Sequence, residues 1–76
     1  MNKPIEACYI AFGVRVRMMR EMLGLTQDEL AKKMKISRPS LANIEVGRQR
    51  VLLGDVQRFA DAIGVAPKQM MKGIWW

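Results

Sequence analysis

Residues 24–45 read GLTQDELAKKMKISRPSLANIE, and this stretch decides the fold. Thr26 is a helix N-cap with Glu29 three residues later, the spacing of a capping box. Leu25 before the cap can pack on Leu30 after it, a hydrophobic staple. Leu30, Ala31 and Met34 then share one inner face. Lys32, Lys33 and Lys35 gather at the C-terminal end, where the macrodipole favours cations, and read as a solvated helix end. The same grammar repeats almost at once. Ser37 is a second N-cap, with Ile36 and Leu41 as its staple pair. Pro39 falls in the first turn, where a missing N–H costs little. Leu41 and Ile44 face inward, and Gly47 is a C-terminal stop. Only Lys35 and Ile36 separate Met34 from the second cap. So tight a connection makes two short helices cross steeply, which is a helix-turn-helix.

Working outward, the upstream residues Ile5, Tyr9, Phe12, Val16, Met19 and Leu23 are spaced 4, 3, 4, 3, 4 apart, one face of a first helix that Gly24 ends. Gly13 weakens that helix by up to about 1 kcal/mol relative to alanine. Residues 1–13 are therefore expected as an extension of the first helix or as an arm. Downstream comes a basic loop, Arg48, Gln49 and Arg50. Leu53, Val56, Phe59, Ala60 and Ile63 mark a fourth amphipathic helix stopped by Gly64. Its start carries no clear signal, because Leu52 is a poor cap and Gly54 a poor helix residue. Pro67 opens a short fifth helix with Met70 and Met71, stopped by Gly73. Strand and hairpin signals are nearly absent. The chain is thus expected to be all-α, one domain over residues 1–76. Its core spans about residues 14–71, and residues 72–76 form an apolar tail.

The chain has 76 residues, enough for one domain. A domain this small buries roughly 60% of the surface its unfolded chain exposes, so oligomerisation would help it. Cys8 is the one cysteine and there is no histidine, which excludes an intramolecular disulfide and a Cys/His zinc site. No metal or cofactor is expected. The lone thiol and seven methionines suit a reducing cytoplasm. Residues 7–14 are apolar, but Arg15, Arg17 and Arg20 interrupt them, and nothing approaches the roughly 20 apolar residues of a membrane span. A net charge of +6 favours polyanions. Without histidine, a cysteine pair or a glycine-rich phosphate loop, no catalytic constellation can be drawn and no enzyme is expected.

Residues 24–31, GLTQDELA, resemble the GLTQxELA signature of the phage-repressor and Cro helix-turn-helix family, also called the xenobiotic-response-element family. Ile36-Ser37, Ile44-Glu45 and Gly47-Arg48 extend the match. Residues 59–65, FADAIGV, look like the family's fourth-helix ending. The resemblance runs from about Val14 to Met71. It implies a compact, lambda-repressor-like bundle of five short helices in a bacterial or phage-encoded protein. It also implies sequence-specific binding of double-stranded DNA by a homodimeric transcriptional regulator, a repressor first of all. The other role it offers is an antitoxin or protein-binding module, with a toxin as partner and DNA binding secondary.

In this geometry the N-terminal residues of the second motif helix enter the major groove. They are Ser37, Arg38, Pro39 and Ser40, with Asn43 one turn further on. Arg38 is the leading base reader, since a guanidinium can donate two hydrogen bonds to guanine O6 and N7. A cation in a helix's first turn opposes the macrodipole, so local stability does not explain it. Asn43 matches a position the family uses for base contact and can pair with adenine N6 and N7. Ala42 and Pro39 can touch a thymine methyl, although Pro39 replaces a polar residue common in the family. Gln27 opens the first motif helix, where free N–H groups favour an anion, and the family uses this glutamine on phosphate. Ser37, Ser40, Arg48, Gln49 and Arg50 complete the expected phosphate contacts. Arg20 and Glu45 match family positions that tie the first helix to the third by an ion pair. Met70, Ile74, Trp75 and Trp76 are expected in a dimer interface, as apolar surface that a small chain cannot hide. The other outcome is that the tryptophans fold back onto the domain. A symmetric dimer faces a palindromic operator, and no membrane partner is expected.

Overall fold

A computed structural model describes residues 5–74, and in these five helices and no strand are found. They are α1 (Ile5–Met22), α2 (Gln27–Met34), α3 (Arg38–Glu45), α4 (Leu53–Ile63) and α5 (Pro67–Met71). α1 packs chiefly on α3 and also on α4 and α5, while α2 sits against α3 and α4. Most of the described residues that the periodicity placed inside do meet, while Leu53 in the first turn of α4 is exposed and does not. Phe12, Val16, Leu30, Ala31, Met34, Leu41, Ile44, Phe59, Ala60 and Ile63 are all buried in one core. Phe12 and Phe59 meet edge to face, ring centroids 5.7 Å apart, the arrangement that aromatic quadrupoles favour. Leu23 is the exception on α1: it lies beyond the last turn and is half exposed.

α1 runs unbroken through Gly13, so residues 5–13 are helix and not a separate arm. The glycine is there for packing. A Cβ at Gly13 would lie 2.7 Å from the Glu45 carbonyl oxygen and closer still to that of Ile44. α1 and the last turn of α3 therefore cross backbone to backbone. Gly47, with φ +78°, serves the same contact from the other side, for a Cβ there would strike Ile10 of α1 at 2.6 Å. No other residue type supplies both the left-handed turn and the space.

Both motif caps form. Thr26 Oγ1 accepts from the Glu29 N–H at 3.1 Å, and Glu29 Oε1 accepts from the Thr26 N–H at 2.8 Å. Ser37 Oγ accepts from the Ser40 N–H at 3.1 Å. α4 starts without a side-chain cap, since leucine has no acceptor. Asp55 Oδ2 instead takes the Leu52 N–H at 3.1 Å, half of a capping box. Between α2 and α3 the chain reverses at Lys35, φ +57° and ψ +41°, and the Ile36 N–H closes on the Ala31 carbonyl at 3.0 Å. Every other left-handed residue described is a glycine.

The short α5 is held by Arg15, whose guanidinium donates to the carbonyls of Gln69 and Lys72, both at 2.7 Å. That clamp carries the chain end inward. Met70 and Ile74 are buried in the domain's own core and cannot form the interface expected of them. Their apolar surface is hidden by folding back, the outcome a small core demands when it has room. Trp75 and Trp76 lie outside the described residues.

Candidate nucleic-acid interface

The motif's anchor is the pair between Arg20 on α1 and Glu45 at the end of α3. Arg20 Nε donates to Glu45 Oε2 at 2.7 Å and Nη2 to Oε1 at 3.1 Å, a two-point contact. Nη1 adds a bond of 2.8 Å to the Leu25 carbonyl just before the α2 cap. Only 11% of the Arg20 side chain and 2% of the Glu45 side chain are exposed. The hydrogen bond that Arg20 donates to Glu45 raises the Arg20 pKa, against the opposing effect of burial. One guanidinium thus ties α1, the entry to α2 and the end of α3 into a single frame.

Gln27 joins that frame. Its Nε2 donates to Glu45 Oε1 at 3.1 Å, and the residue is half-buried. Read from sequence as a free phosphate contact, it is here oriented by the same carboxylate that holds Arg20. One amide N–H is committed, and the other N–H and the carbonyl oxygen have no partner among the described residues.

The exposed side of α3 carries Arg38, Pro39 and Asn43, with Ala42 and Ser40 half-buried beside them. Ser37 is exposed; its hydroxyl oxygen accepts from the Ser40 N–H, which leaves its O–H able to donate. Arg48, Gln49 and Arg50 follow in the loop. The Arg48 N–H bonds the Asn43 carbonyl at 2.9 Å, so the loop begins against the last turn of α3.

Charge pairing sorts the cations. Arg17 pairs with Glu21, Lys32 with Asp28, Arg58 with Asp55 and Arg20 with Glu45. Among the described residues, no carboxylate or hydrogen-bond acceptor engages the side chains of Arg38, Arg48 or Arg50. Lys33, Lys35, Lys68 and Lys72 are unpaired among the described residues as well, and what sets the three arginines apart is their place at the two ends of α3. Surface of that kind, lacking a carboxylate neighbour, attracts a polyanion.

Two features escaped the sequence reading. Leu52 and Leu53 are 72% and 88% exposed at the start of α4, side by side. The spacing placed Leu53 with Val56, Phe59, Ala60 and Ile63 on the apolar face of α4, and its exposure corrects that: it stands in the first turn, ahead of the buried residues of the helix. Arg58 reaches across to donate to the Met34 carbonyl at the end of α2 while holding Asp55. Nothing in its spacing pointed to the first of these contacts.

Among the described residues no helix is long and apolar enough to cross a membrane, and no group of three acidic, cysteine or histidine side chains could hold a metal ion.

A family profile described as "Helix-turn-helix domain" matches residues 11–71. The control protein C.BamHI of Bacillus amyloliquefaciens is 30% identical over 63 residues, 82% of this chain and 78% of that protein. Among solved structures, the restriction-modification controller protein C.AhdI from Aeromonas hydrophila superposes with a TM-score of 0.78. It is 29% identical and the match covers 82% of this chain and 94% of the other. The clp gene regulator ClgR from C. glutamicum superposes with a TM-score of 0.81 at 26% identity, over 91% of this chain and 87% of the other.

Proposed function

As the chain belongs to the helix-turn-helix family of DNA-binding transcriptional regulators, we propose that it binds a specific double-stranded operator as a homodimer and represses transcription there. The observation that carries this reading is the uncommitted, exposed set of Arg38, Asn43, Arg48 and Arg50 around a helix whose other face is locked into the core. Arg38 and Asn43 read base edges, with Pro39 and Ala42 as apolar contacts. Gln27, Ser37, Ser40, Arg48, Gln49 and Arg50 bear on the phosphates and set the register. The likeness to the control protein C.BamHI and to the restriction-modification controller protein C.AhdI favours a controller of that type over other regulators.

We place the dimer contact at the exposed Leu52–Leu53 pair, since Met70 and Ile74 are buried in the domain's own core. A two-fold axis there would bring together the two loops that follow α3. The two reading helices would then face successive major grooves, roughly 34–36 Å apart on one side of a palindrome.

Selection of binding sites from random DNA, at several salt concentrations, tests this. A palindromic consensus is expected, and equal affinity for all sequences would overturn it. Arg38→Ala should cost about 1–3 kcal/mol at one base pair per half-site and relax preference there. Arg50→Ala should weaken all sites alike and flatten the salt dependence by about one unit of slope per protomer.

A further inference from the structure

We propose that a recess at the elbow between α2 and α3 binds a small phosphate-bearing anion. The recess measures about 310 Å³ and is lined by Lys33, Met34, Lys35, Arg58, Asp61 and Ala62. That volume lies at the lower end of ligand pockets, roughly 300–1,000 Å³. Three cations face one carboxylate. Asp61 is occupied by Gln57 Nε2 at 2.8 Å, and Arg58 is shared between Asp55 and the Met34 carbonyl. Lys33 and Lys35 have no partner among the described residues. Two free ammonium groups above an apolar floor of Met34 and Ala62 suit a phosphate monoester or pyrophosphate with a small carbon body.

Lys35 supplies an independent observation. It occupies the one left-handed position in the described chain that is not glycine, whereas Gly24, Gly47, Gly64 and Gly73 fill the others. A glycine would relieve the backbone there, and the side chain that stands in its place lines the recess. The same residue sets the angle at which α3 leaves α2, and Arg58 grips the carbonyl just before it. An anion drawing on Lys35 and Arg58 together would therefore bias the presentation of the reading helix.

DNA phosphate could offer the same chemistry. The recess lies at the C-terminal end of α2, yet Lys35 is two residues from Ser37, so position along the chain does not separate the two sources. The free small molecule is the source proposed, and titration in the absence of DNA separates it from the backbone phosphate. This site stands on the protein alone, while its effect on DNA rests on the reading proposed above.

Titration of the DNA-free protein with inorganic pyrophosphate, at constant ionic strength, tests the site by amide and side-chain chemical shifts. Shifts should centre on Lys33, Lys35, Arg58 and Ala62. Lys35→Gly should weaken binding about tenfold while raising Tm, and Lys33→Gln should weaken it about tenfold. Absence of localised shifts, or a Lys35→Gly variant that binds as wild type, overturns the proposal. If both variants instead lose DNA affinity without pyrophosphate, with a flatter salt slope, the phosphate is the DNA backbone's and the small-molecule assignment falls.

Discussion

At the scale of single residues, two positions hold the frame. Gly13 was legible as a helix-weakening residue, and in isolation alanine there would gain about 1 kcal/mol of helix propensity. The crossing of α1 over the Ile44 and Glu45 carbonyls reverses the sign. Gly13→Ala must push two backbones apart, so it should destabilise the fold by about 1–3 kcal/mol or more, read as a lower denaturation midpoint. A stabilised variant would show that α1 can lift off α3 without loss. Arg20 and Glu45 were identified by resemblance, and the structure supplies the reason for their pairing across 25 positions of chain. Arg20→Met strands a buried carboxylate and should cost about 3–5 kcal/mol. A domain of this length has roughly 4–11 kcal/mol in total. Urea unfolding of Arg20→Met beside the double variant Arg20→Met/Glu45→Met separates the pair's value from the cost of orphaning Glu45. The double variant should recover much of the loss.

At the scale of elements, helix starts were readable because caps are local. Thr26 with Glu29, and Ser37 with Ser40, involve residues three apart, so spacing alone defines the contact. α4 resisted the same reading because its only cap comes from Asp55 onto a leucine N–H. The α2 box also carries a pH signature. Hydrogen bonding, first from the Thr26 backbone and then from its hydroxyl, lowers the Glu29 pKa below the ordinary glutamate range. A depressed acid stabilises the fold above its unfolded value, about 4.3. That contribution is lost as pH falls through the lower folded value. Glu29→Ala should therefore lower Tm at neutral pH, and the gap to wild type should close in acid. Melts at pH 7 and pH 3 that show an unchanged gap would refute this account.

At the scale of the whole molecule, exposure decides which surfaces remain for partners. Met70 and Ile74 are spent on the core, and Leu52 with Leu53 is left facing outward. Leu53→Lys should leave the melting curve almost unchanged, because the side chain touches little of its own protomer. It should also turn a dimer into a monomer in sedimentation velocity and cut affinity for a palindrome far more than for a half-site. A variant that stays dimeric would place the two-fold axis elsewhere.

The sequence by itself determined the five helices, most of their inner faces, the tight elbow, and the exposed cations of the second motif helix and the loop after it. All of these depend on contacts within one or two turns, or on charge, which spacing along the chain records directly. The tertiary structure alone decided the use of Gly13, the tethering of Gln27 to Glu45, the burial of Met70 and Ile74, and the recess between Lys35 and Arg58. Each joins residues from separate helices, about 20 or more positions apart in several cases. Whether a given apolar or charged side chain is spent inside or left for a partner depends on which neighbours the packed bundle brings to it. No local pattern along the chain encodes that.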